Sequence, residues 1–166
     1  MMPEFFSNFI GAFCMSFSPE EGAAILKAVT MSGMAVAIAD MGIVSTAIEA
    51  AALAKEVVGA AAKYPTNSII QGVFTEEALK TFKPETPKDV TPDNAVDMAI
   101  AAVNDALATL ESKATPAEIA EYKQFIYSAA THVAEAAGSG LFGSGANKIS
   151  PEEAATLAKL KTALAI

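Results

Sequence analysis

Tryptophan and arginine are absent from these 166 residues, and histidine and cysteine occur once each. Each scarcity narrows what the chain can do. Without arginine all eleven cations are lysines, so the forked guanidinium that reads phosphates and base edges is missing, which argues against nucleic acid as a partner. A lone cysteine, Cys14, cannot close an internal disulfide, and within its apolar run it reads as a small buried hydrophobe. One histidine, His132, leaves no His-based triad legible in the sequence. Strand-favouring aromatics are few, with three tyrosines, whereas 36 alanines supply the best helix former.

Cations are also missing from the N-terminus, where the first charged residue is Glu4 and no lysine precedes Lys27. A signal peptide starts the other way, so the expected compartment is the cytoplasm. The longest apolar tract, residues 28–46, contains Asp40 and is built largely of Ala, Gly, Ser and Thr. It therefore reads as a buried core helix rather than a membrane span. The net charge of −8 and pI near 4.6 fit a soluble surface that would repel anionic membranes and attract cations or basic partners.

What the chain has in plenty is helix punctuation. Ser18-Pro-Glu-Glu21, Thr115-Pro-Ala-Glu118 and Ser150-Pro-Glu-Glu153 each place a capping hydroxyl before Pro and a Glu three residues on, the capping-box signature; Thr46-Ala-Ile-Glu49 repeats it without Pro, and Thr91-Pro-Asp is a weaker version. These signals predict helices over 3–15, 19–39, 47–63, 92–112, 116–137 and 151–164, with short turns near 67–72 and 76–82. Three prolines in residues 83–92 make an extended connection. The expected architecture is all-α: a single domain, residues 1–166, of about seven to eight helices around a central helix 19–39, which carries almost no polar side chain after Lys27.

Three features stand out as candidate sites. Gly138, Gly140 and Gly143 have the G-x-G-x-x-G spacing of a phosphate loop, but a helix and not a strand precedes them. Lys148 also comes three residues late for a Walker loop, so the run reads as a joint between helices. Asp40 and Glu49 flank the junction of two apolar helices, where paired carboxylates could hold a hard divalent cation, or could serve the turn and the cap of Thr46. Phe5, Phe6, Phe9 and Phe13, with Phe17 beyond, form a stripe at helical spacing beside Ile10 that must be covered, first by the domain's own core, then by a second copy or a protein partner, and last by a membrane surface, for which the polar face lacks cations.

The segment Ala39-Asp40-x-Gly42-Ile-Val-Ser45 followed by Glu49 recurs loosely as Gly145-Ala-Asn-Lys-Ile-Ser150-Pro-Glu-Glu153. This resembles the tellurite-resistance TerB-like helical proteins, whose repeated A-D-G-x-I-S-x-x-E segments join helices in an all-α bundle. Met41 interrupts the motif, Glu49 falls one residue late, and the second copy lacks the Asp. The resemblance implies a stress-response or binding module in which Asp40, Glu49, Glu152 and Glu153 are the candidate ligands of a divalent cation. The expected function is thus a non-enzymatic binding protein. The alternatives are a metal-dependent hydrolase using carboxylates at helix junctions, and an oligomerisation protein using the Phe stripe.

Overall fold

A computed structural model describes residues 15–39, 46–84, 87–138 and 149–166. Seven helices account for most of them: α1 (Pro19–Ala37), α2 (Thr46–Lys63), α3 (Ser68–Val73), α4 (Glu76–Thr81), α5 (Ala95–Leu110), α6 (Pro116–Gly138) and α7 (Pro151–Leu164). No strand occurs among the described residues. The expected helix over 3–15 lies outside them apart from Met15, which is not helical, and the glycine joint over 139–148 lies outside them too.

The three Pro-containing capping signals start helices where the sequence places them. In each, the hydroxyl accepts from the Glu backbone N–H and the Glu carboxylate accepts from the cap N–H, at 3.2 and 2.8 Å for Ser18/Glu21, 3.3 and 3.0 Å for Thr115/Glu118, and 3.2 and 2.7 Å for Ser150/Glu153. One expected start is corrected, and one lies at the edge of the described residues: α2 is described from Thr46 on, so the predicted cap there lies outside what the structure describes. Thr91-Pro-Asp does not start α5, which begins at Ala95: Asn94 uses its side chain on the preceding turn, accepting from the Thr91 N–H at 2.8 Å and donating to the Asp89 carbonyl at 2.9 Å. Residues 92–94 are spent on that turn instead of on helix.

Helix α1 is the centre, packed against α2, α3, α5, α6 and α7. No residue from Glu21 to Ala37 is exposed. Its first half joins Ile25, Leu26 and Val29 to Phe74, Phe125 and Tyr122, with the Phe74 ring edge-on to Phe125 at 5.2 Å. Its second half joins Met31, Ala35 and Val36 to Ala99, Val133 and Leu160. Tyr122 is fully buried and its hydroxyl donates to the Ile25 carbonyl at 2.7 Å, tying α6 to α1. Among the described residues no helix is long and apolar enough to cross a membrane.

Candidate functional site

Of the predicted ligand carboxylates, Glu49, Glu152 and Glu153 fall among the described residues, and their exposure differs. Glu153 is 2% exposed, and its carboxylate closes the α7 capping box. Glu152 beside it is exposed, because successive helical residues point about 100° apart. Glu49 is completely buried in the first turn of α2, where the positive end of the helix dipole suits a carboxylate. Asp40 lies outside the described residues. Among the described residues no group of three or more His, Cys, Asp or Glu side chains is placed to hold a metal ion.

Another carboxylate joins two helix starts that are far apart in sequence. Glu118 of α6, besides capping its own helix, accepts from the backbone N–H of Ser68 at 3.1 Å and from the Ser68 hydroxyl. The Ser68 hydroxyl, then the N–H and hydroxyl of Thr115, hold its carboxyl well below the usual range, at about 2. Asn67 extends the joint, donating to the Glu118 carbonyl at 3.0 Å and to Glu121 at 2.8 Å. Every partner is a fixed group of the fold, so this is a staple between α3 and α6.

The sequence singles out His132 but names no companions for it, and the structure supplies three. Helices α2 and α6 run antiparallel, which sets Glu56 and Lys63 of one against His132 and Ser128 of the other. His132 Nδ1 lies 2.8 Å from Glu56 Oε1, Lys63 Nζ lies 3.7 Å from Glu56 Oε2, and Lys63 donates to Ser128 Oγ at 3.4 Å. A general base for Ser128 would have to accept the hydroxyl proton, whereas Lys63 donates and faces a carboxylate. The cluster clamps two helices. A cleft of about 210 Å³ bounded by Glu20, Lys27, Pro84 and Asp105, and one of about 420 Å³ between Ile100 on α5 and Ala158 and Thr162 on α7, both lie away from it.

Beside that clamp is the surface that sequence reasoning missed. Ala47, Ala51, Ala54, Val58 and Ala62 fall at spacings of four, three, four and four, so they form one line along α2, and all five are exposed. Val58 is 71% exposed, the large hydrophobic that stands out from the surface among the described residues. Gly59 beside it has open space where a Cβ would be. The line could have been read from the helical spacing, but α2 is alanine-rich on its inner side as well, so hydropathy gave no contrast between the faces.

Comparison of the chain with protein-family models, with curated proteins and with solved structures finds no match.

Proposed function

We propose that this protein is a non-enzymatic helical binding module, of the general kind the TerB-like resemblance implies, and that it docks an amphipathic helix of a protein partner on the outer face of α2. The observation that carries this reading is the line Ala47, Ala51, Ala54, Val58 and Ala62, an exposed apolar surface on a helix whose other side is anchored to α1 and α6. Small side chains let a second helix approach closely, and larger knobs on that helix would fill the shallow grooves between them. The strip runs for about 24 Å at 1.5 Å per residue, the length of one ordinary helix. The test is selection of displayed amphipathic helical peptides on the full chain, with Val58→Asp as counter-target. Peptides carrying large apolar residues at i and i+4 should be enriched on the wild type and lost on the variant; recovery of none that tells the two apart sinks the reading.

The second reading, a divalent cation at the helix junctions, is carried by the TerB-like resemblance, which implies Asp40, Glu49, Glu152 and Glu153 as its ligands. The fit is incomplete: no group of three or more such side chains gathers among the described residues, and calcium takes six to eight oxygens. Thermal unfolding of chelated protein with Ca²⁺, Mg²⁺, Mn²⁺ or Zn²⁺ added singly tests it. Saturation at a hundred times the dissociation constant should add about 2.7 kcal/mol, and the gain should vanish in Glu49→Gln. No gain with any of the four ions eliminates this second reading.

A further inference from the structure

The groove between α5 and α7 shares no residue with the outer face of α2, and its lining is that of a small-molecule site. We propose that it binds a small amphiphilic acid, with an aliphatic tail along Ile100 and Ala158 and a carboxylate against the Lys159 ammonium. This site stands independently of the partner helix proposed for α2.

The groove follows from what α7 commits to the core. Leu157 and Leu160 are buried in the cluster that holds Ala99 and Ala102 of α5. Successive helical residues point about 100° apart, so Ala158, Lys159 and Thr162 face outward and are exposed. Across from them Ile100 of α5 is half-buried, with the same core behind it. Ala158, Thr162 and Ala163 are too small to fill the space beside it, and a cleft of about 420 Å³ remains.

Size and lining select the class of ligand. Small-molecule sites run to roughly 300–1,000 Å³ and are mostly apolar, with a few polar groups that fix orientation. At about 420 Å³ this groove suits a ligand at the small end. The described residues that line it include one charge, Lys159, and no carboxylate. By contrast, the cleft at Glu20, Lys27 and Asp105 carries both signs, which would oppose a simple anion.

Lys159 is also uncommitted. Lys161, two residues on, lies 5.9 Å from the centre of the Tyr127 ring, whereas Lys159 has no ion pair or ring contact among the described residues. The Thr162 hydroxyl donates to the Ala158 carbonyl at 3.0 Å, so its proton is spent and the ammonium is left as the donor for an anion. One compact ammonium suits one carboxylate, while a phosphate would call for several donors. Asp97, three residues before Ile100 on the same face of α5, is exposed and repels an anion from that side. The head group therefore belongs at α7 and the tail at α5.

The test is a nuclear magnetic resonance titration of the full-length protein with butanoate, hexanoate and octanoate below their micellar concentrations. Octanamide and octylamine serve as controls of equal tail length. Shifts should be confined to the groove, around Ile100, Ala158, Thr162 and Ala163, and binding should tighten about two- to fourfold for each methylene buried. Lys159→Gln should weaken octanoate about two- to fivefold, the range of an exposed ion pair, and bring it level with octanamide. Ala158→Leu, which fills the groove without touching a charge, should abolish the shifts with far-ultraviolet circular dichroism unchanged. Lys55→Gln and Val58→Asp on α2 should leave the binding as it is. The proposal is overturned by the absence of any saturable shift, by shifts spread over the whole surface, by octanamide or octylamine binding as tightly as octanoate, or by octanoate binding that ignores both Lys159→Gln and Ala158→Leu.

Discussion

Glu118 shows how much one side chain can hold. It serves the N-termini of α3 and α6 together, and its carboxyl is held down at about 2 by the Ser68 and Thr115 donors. A depressed pKa means that the folded state prefers the charged form, so its contribution is complete above the unfolded-state value near 4.5 and is lost as pH falls from there toward 2. Discounted for solvent screening, the contribution is on the order of 1 kcal/mol. Urea unfolding at a series of pH values should show wild-type stability falling across that window. Glu118→Gln should be less stable at neutral pH and should lose part of the acid slope; an unchanged slope would show that Glu118 is not the titrating group. Gly33 is a second residue with a sharp consequence, because a Cβ there would come within 2.5 Å of Leu53 where α1 meets α2. Gly33→Ala should cost about 1–3 kcal/mol as overpacking. Most of that loss should be recovered by adding Leu53→Ala, measured by thermal or chemical unfolding; no recovery would mean that the clash lies elsewhere.

The helices differ in what fixes them. Helices α1, α6 and α7 are bounded at their starts by capping boxes and Pro, signals written in four consecutive residues, and those starts were legible for that reason. Helix α5 was not, because the side chain of Asn94 is committed to the turn from Asp89, a choice made by loop geometry rather than by helix propensity. Helix α2 is positioned by one face only. Gly59 lies on its outer side with nothing within 4 Å of a Cβ position, so Gly59→Ala should gain about 0.5–1 kcal/mol from helix propensity and raise the melting temperature. A fall in melting temperature would show that a neighbouring segment already occupies that space.

At the scale of the molecule, α2 is fastened to α6 by one cluster in which Glu56 meets both His132 and Lys63. Side chains of Lys63 and His132 are 44% and 43% exposed, so solvent and salt weaken the attraction. A double-mutant cycle of Glu56→Gln and His132→Ala should give a coupling of about 0.2–1 kcal/mol that shrinks with added salt. Zero coupling at low salt would reduce the cluster to surface decoration. The same clamp holds the outer line of α2 facing away from the bundle, which links a small electrostatic interaction to the face proposed for docking.

Composition, capping chemistry and helical periodicity determined the class of this protein and the placement of its central helix, because those signals act within a few consecutive residues and alanine leaves strands little to work with. The staple of Glu118 on Ser68, the cluster of Glu56, Lys63, Ser128 and His132, and the burial of Glu49 on the same helix that exposes Val58 were decided only by the tertiary structure. In an alanine-rich helix the two faces carry nearly the same hydropathy. Which one is covered depends on what packs against it, and for α2 that is α1 before it in the chain and α6 well beyond it.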